Sequence, residues 1–274
     1  MLKEKVIESI ENTDKIIRVP KIEIKDTEIN KIILSEKNTL NVNLKEILET
    51  KVVISNYKRE VLGMRLEKLP DKKCIILSAT ANERIYRSLL ADREIKYVDI
   101  GEIETIGKLA LHYSAFSRIS LKNDFDRRIE QINKEANGIS NVITFAKYEE
   151  YFKEAGFNVI AHFGACSGLD GYKGEDLIVA GTPHVDERVY LLLAAIIDET
   201  MEVKQNLEYR NVRRNGFEFY FNTYDEGRLL QEIQFYYIES ELIQAVGRAR
   251  ILRTEATVHL FSNYPLKGAI LYNE

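Results

Sequence analysis

Tryptophan is absent from the 274 residues, cysteine and methionine are scarce, and proline and histidine each occur four times. The two cysteines, Cys74 and Cys166, stand far apart without a C-x-x-C pairing. That excludes a disulfide framework and a cysteine zinc site, and a reducing, cytoplasmic setting fits best. His112, His162, His184 and His259 show no ligand spacing, so no metal site is expected among them. With few prolines and no low-complexity stretch, no flexible linker stands out. No apolar run approaches the length of a membrane span, and the start MLKEKVIESIENTDK lacks the apolar centre of a secretory signal. An excess of positive charge is missing too. Lys and Arg number 39 against 43 Asp and Glu, a net charge of −4. That argues against a surface coated for indiscriminate phosphate binding, while leaving room for a local basic groove.

What is present is a chain 45% hydrophobic and 30% charged, enough for one large domain or two small ones. Near the start, IIRVPKIEI reads as extended structure with a bend or edge at Pro20, and the stretch from Asn43 up to Pro70 reads as helical. From Lys73 the texture changes. KCIILSAT, NVITFA and DLIVAGT are short apolar runs ending in small or polar residues, as buried strands are, and LALHYSAF, NVIAHFG and ATVHLFSN add three more strands. Helical patterns lie between them: NERIYRSLL, KYEEYFKEA and HVDERVYLLLAAIIDETM, the last with Thr182 as N-cap and Pro183 in the first turn. The alternation predicts an α/β fold, a parallel sheet flanked by helices. Asn215-Gly216 between the alternating stretches NLEYRNVR and FEFYFNTY predicts a β-hairpin insertion at about residues 203–225.

The sequence carries no complete nucleotide engine of its own. GEIETIGKL has one residue too many between its glycines for a phosphate loop, Leu109 where a hydroxyl must bind magnesium, and Glu102 and Glu104 to repel phosphates. In AAIIDET, Asp198 and Glu199 fall at the far end of a helix and not at the tip of a strand, which disfavours them as a magnesium motif.

Four stretches in order resemble the superfamily 2 nucleic-acid helicases. Ser78-Ala79-Thr80 is similar to motif III, VITFA with Thr144 and Lys147 to motif IV, SGLDGYKGEDLIVAGTP with Gly168 and Asp170 to motif V, and QAVGRAR near the C-terminus to motif VI. The resemblance covers residues 73–263. It implies a RecA-like fold. Residues 1–102 would be the C-terminal remnant of a first RecA-like lobe carrying the SAT motif, and residues 103–274 a second lobe with the hairpin insertion. The phosphate loop and acidic magnesium motif of that family lie upstream of SAT, and the seventy residues before it here contain neither.

The resemblance therefore implies the C-terminal motor portion of an ATP-dependent DNA or RNA helicase or translocase, inactive by itself. ATP with magnesium would bind only together with a complete first lobe, supplied in cis or in trans. Arg248 is implied as the arginine finger facing the γ-phosphate, a role that stabilises charge on the transferring group. The family's second arginine falls at Ile251 here, so Arg250 takes that role by proximity. Gln244, Gly247, Gly168 and Asp170 are implied on the nucleotide side, and Ser78 and Thr80 in coupling the lobes. Thr144 and Lys147, with Arg213 and Arg214 of the hairpin, are implied as nucleic-acid contacts. Motif V departs from the pattern by lacking the threonine that often precedes its Gly-x-Asp turn. The wording of ILSAT and GTPH is similar to that of replication helicases of mobile elements. A competing reading keeps the fold without turnover, as a non-catalytic nucleic-acid or protein-binding module.

Overall fold

The computed structural model describes residues 16–18, 50–55, 61–101, 103–166, 171–201 and 206–272. By backbone contacts they divide into two units. The first comprises the described parts of Met1–Ser78, Glu83–Glu94 and Val185–Gln205; the second comprises those of Ala79–Asn82, Ile95–His184 and Asn206–Glu274.

The first unit carries β1 (Ile16–Arg18), β2 (Val52–Ser55) and β3 (Val61–Met64) in one antiparallel sheet, with helices α1 (Glu83–Leu89) and α5 (Glu187–Ile197). β2 and β3 correct the helix expected between Asn43 and Pro70. Val52, Val53 and Ile54 are β-branched, which favours extended backbone, and VLGM pairs back on them from Val52↔Met64 to Ser55↔Val61. Residues 43–49 and 56–60 of that stretch, like Pro20, lie outside the described residues. Val52 and Ile54 bury themselves against Leu192 and Ala195 of α5, so the contacts of α5 place it with this unit. Its N-cap is Asp186, whose carboxylate accepts from Arg188 N, and not Thr182 as the sequence suggested. Asp198 is the C-cap at the far end, as read from the sequence.

KCIILS is not the buried strand expected of it. Residues 73–77 pair with no strand among the described residues, and Ile75 and Leu77 are 81% and 92% exposed. An apolar run forms a strand only where a neighbour completes its ladder, a condition that hydropathy cannot report.

The second unit is built on six parallel strands in the order β11-β4-β10-β7-β5-β6. They are β4 (Lys108–Tyr113), β5 (Asn141–Thr144), β6 (Asn158–His162), β7 (Leu177–Ala180), β10 (Thr257–Ser262) and β11 (Ile270–Leu271). This is the RecA-like α/β arrangement expected. All four residues of β7 are buried, because the strand lies inside the sheet and both faces are covered. Its alternation shows the two layers. Leu177 and Val179 face a core that includes α6 (Leu229–Val246). Ile178 and Ala180 face one shared with α2 (Arg118–Asn123), α3 (Phe125–Glu135) and α4 (Glu149–Glu154) through Leu121, Ile132 and Phe152. Each fully buried side chain of this size contributes about 1.5–3 kcal/mol before chain entropy is counted.

The hairpin is present as β8 (Glu208–Arg214) and β9 (Phe217–Thr223). Asn215 and Gly216 take φ of 56° and 85°, the left-handed pair that a two-residue turn needs. One face of the hairpin buries Val212, Phe219 and Phe221 in the core that α6 shares. Gly107 of the rejected phosphate loop has a packing role. A Cβ there would stand 2.2 Å from Ala256 O and 2.7 Å from Thr254 O, so only glycine admits this approach at the foot of β4.

Candidate functional site

Helix α6 runs into a short 3-10 turn, Gly247–Ala249, and ends at Arg250 with φ 58°. Left-handed backbone costs a non-glycine residue about 1–2 kcal/mol. Two main-chain bonds anchor this turn at the amino-terminal edge of the sheet. Gly107 N, just before β4, donates to Ile251 O at 2.8 Å, and Gly174 N, just before β7, donates to Ala249 O at 3.1 Å. Gln244 and Arg250 are exposed and Arg248 is half-buried, its Nε donating to Gln244 O at 3.2 Å. Gly247 has helical backbone, and a Cβ there would meet nothing within 4 Å. The chain's own packing therefore does not require glycine at 247.

The structure thus brings Gln244, Gly247, Arg248 and Arg250 together on one turn. Nearby on α6, Glu239 binds Arg214, and Glu241 accepts from Gly164 N. Cys166 lies within the field of Arg248 and Glu241. Burial first, then the Glu241 charge, pushes its thiol up to about 11 against the opposing pull of Arg248, which rules out a thiolate nucleophile at neutral pH. Gly168 and Asp170 lie outside the described residues. Thr80 joins the same helix from another side. With Ala81, Asn82, Tyr236, Ser240 and Ile243 it lines a shallow open pocket of about 180 Å³, small for a nucleotide. Ser78 belongs to the first unit and is exposed.

The remaining candidates gather at the opposite, carboxyl edge of the sheet or on the hairpin. Thr144 ends β5 fully buried, and the hydroxyl expected to meet a phosphate donates instead to Ala180 O at 2.9 Å. Lys147 is exposed three residues on. Arg213 is exposed and pairs with Glu218 at 3.1 Å. Arg214 turns to the packed face, where Nε and Nη2 grip Glu239 at 2.6 and 2.8 Å and the guanidinium lies 5.0 Å from the Phe235 ring centre. The Glu239 bond raises the Arg214 pKa further above the ordinary arginine value. Burial pushes the Glu239 carboxyl up, but Arg214, Asn215 and Tyr264 outweigh it and hold it below the usual range. The hairpin is therefore clamped to α6.

Sequence reasoning missed Arg118. Its Nη1 donates to His184 O at 2.7 Å, and its guanidinium stands 4.7 Å from the centre of the Phe145 ring. The only available signal was an arginine shortly after a strand, which is common. A buried chain was also missed, in which His112 Nδ1 meets Glu135 Oε2 at 2.7 Å and His112 Nε2 meets His259 Nδ1 at 2.9 Å.

Chemically, the amino-edge turn can present guanidinium groups to a phosphate held by something else. It offers no loop of amides to cradle one. Among the described residues no group of three or more His, Cys, Asp or Glu side chains is placed to hold a metal ion. No described helix is long and apolar enough to cross a membrane. No family model, no curated protein and no solved structure matches this chain.

Proposed function

We propose that this chain is the C-terminal motor portion of an ATP-dependent nucleic-acid helicase or translocase, supplying an arginine-finger turn and part of a nucleic-acid groove. The observation that carries the reading is the turn at Gly247–Arg250. It puts one arginine beside a glycine whose Cβ direction is open and another in strained left-handed backbone. A phosphate approaching the turn would gain close access at the glycine and the positive charge of two arginines. ATP with magnesium would be held by a lobe bearing a phosphate loop, with Gln244, Arg248 and Arg250 reaching its outer phosphates.

The first test is ATP hydrolysis by the purified chain with and without single-stranded DNA, beside Arg248→Ala. The expected result is no turnover in any of the four. Addition of a phosphate-loop lobe should then give turnover that Arg248→Ala lowers by two or more orders of magnitude. Turnover by the chain alone, lost in Arg248→Ala, would put a complete nucleotide site within it and overturn the division of labour. Turnover in the assembled protein that survives Arg248→Ala would remove the finger.

Gly247 separates function from packing. Gly247→Ala is expected to stabilise the isolated chain by about 0.5–1 kcal/mol, since glycine in helical backbone costs that much. The same change should weaken nucleotide-dependent activity of the assembled protein. A loss of stability in thermal melting would show that the glycine serves the fold. The internal partners of Thr144, Arg213 and Arg214 favour a second reading, a RecA-like binding module without turnover. Full activity of an assembled protein would dismiss it.

A further inference from the structure

Residues of five segments lie at the carboxyl edge of the sheet, where ligands of open parallel sheets sit. Phe145 follows β5, His184 follows β7, Tyr113 ends β4 and Tyr220 lies on β9. Arg118, at the start of α2, is fixed among them. Its guanidinium donates to His184 O at 2.7 Å and faces the Phe145 ring at 4.7 Å, while its own carbonyl accepts from Tyr148 Oη at 2.7 Å. Arg188, Arg210, Arg213 and Arg214 each have a carboxylate partner. Arg118 has none among the described residues, although it is exposed. Lys147, one residue before Tyr148, is exposed and likewise lacks a carboxylate there. Arg118 is thus an oriented positive charge without a carboxylate partner among the described residues, in a chain of net charge −4.

Aromatic faces continue the surface. The His184 ring stacks on Phe221 at 5.5 Å, and the next residue back, Tyr220, is 67% exposed. Tyr113 is also exposed, and its hydroxyl donates to Tyr220 O at 3.3 Å. Cations beside open aromatic rings suit alternating phosphates and bases, with the rings offering stacking that any base can use. An acidic peptide would use the charge but leave the rings idle.

We infer that Arg118, with Lys147, is a phosphate-backbone contact for a single-stranded nucleic acid lying along this edge, its bases against Tyr113 and Tyr220. The inference rests on the nucleic-acid role proposed above and names a residue that no motif marks. Preorganisation is the reason Arg118 matters. A guanidinium held from two sides loses little conformational freedom on meeting a phosphate.

The test is fluorescence anisotropy of labelled oligo-dT and oligo-rU with the full chain across a salt series. Variants are Arg118→Gln, which keeps a donor for His184 O without the charge, Arg118→Lys, which keeps the charge, and Arg87→Gln on α1 as control. Arg118→Gln should weaken binding by about five- to tenfold at low salt and lower the salt slope by about one, with an unchanged melting curve. Arg118→Lys should retain the slope and lose part of the affinity. Binding by the unaltered chain that Arg118→Gln leaves intact in strength and slope would overturn the inference alone. No binding by the unaltered chain would overturn the nucleic-acid role and this contact together. Displacement of the oligonucleotide by polyglutamate at equal charge would replace the nucleic acid with an acidic polypeptide as the occupant.

Discussion

Glu239→Ala lowers the stability of the parallel-sheet unit by about 3 kcal/mol, the cost of stranding a partly buried charge and its neighbours. Glu239 accepts from Arg214 twice, from Asn215 Nδ2 at 2.9 Å and from Tyr264 Oη at 2.8 Å. The two charged side chains keep only 32% and 19% of their surface, so water can replace the lost carboxylate in part only. That exposure places the expectation at the lower end of the range for fully buried pairs. Melting should fall by roughly 6–12 °C for a unit of this size. Arg214→Leu combined with Glu239→Leu should cost far less than Glu239→Ala alone, because no charge is stranded and Phe235 keeps an apolar neighbour. A Glu239→Ala loss under 1 kcal/mol would mean that the clamp is solvated and that the hairpin is held by Phe219 and Phe221 instead. The experiment also bears on Arg214 as a nucleic-acid contact. A side chain this costly to strand inside the fold is a poor one to release to a phosphate.

Much of the fold was legible because its signals are local. The run at 177–180 is short and apolar throughout and that at 141–144 is short with an apolar centre, as suits buried parallel strands. Asn-Gly specifies its turn through the backbone it tolerates, and the hairpin followed. The failures share a cause. Residues 52–55 and 61–64 carry charged neighbours that mimic a helical period, and only the pairing of the two strands decides for β. Residues 73–77 have the composition of a buried strand, but a ladder needs a second strand. Thr182 has the chemistry of an N-cap, yet its hydroxyl lies 2.8 Å from Ser262 Oγ and 2.7 Å from Asn263 Oδ1, and Asp186 caps the helix.

The candidate site was legible as a set of residues but not as a place. Gln244, Gly247, Arg248 and Arg250 are close in sequence, so their gathering on one turn required no tertiary information. Their position at the amino edge, opposite Thr144 and Lys147, depends on where α6 ends relative to β4 and β7. That emerges only from bonds such as Gly107 N to Ile251 O. Arg118 was invisible for a stronger reason. What sets it apart is its bond to a carbonyl 66 residues away, a long-range fact.

Acidification from pH 7 to pH 4.5 should cost the second unit roughly 2–3 kcal/mol through His184 alone. Burial first, and then the Arg118 charge, depress the His184 pKa from 6.5 to about 4. The folded state therefore holds the ring neutral in a range where the unfolded chain protonates it. Full stability is present above pH 6.5, and it declines as pH falls toward 4, because the unfolded state binds the extra proton. His112 and His259 shift the same way, both chiefly through burial, with Glu135 opposing at His112 and Asp176 at His259. Their link tolerates one added proton, since an imidazolium can still donate across the 2.9 Å contact, but two would face each other as cations. Glu239, whose pKa is depressed, loses its contribution below the ordinary carboxylate range, so melts stopped at pH 4.5 report mainly the histidines. His184→Phe keeps the stack on Phe221 and the carbonyl that Arg118 uses, and removes the titration. Its melting temperature should fall markedly less between pH 7 and pH 4.5 than that of the unaltered chain, the residual fall belonging to His112 and His259. Equal falls would show that His184 is solvated enough to protonate in place. The carboxyl edge would then be looser than its contacts describe, and Arg118 would lose the fixed support on which its preorganisation depends.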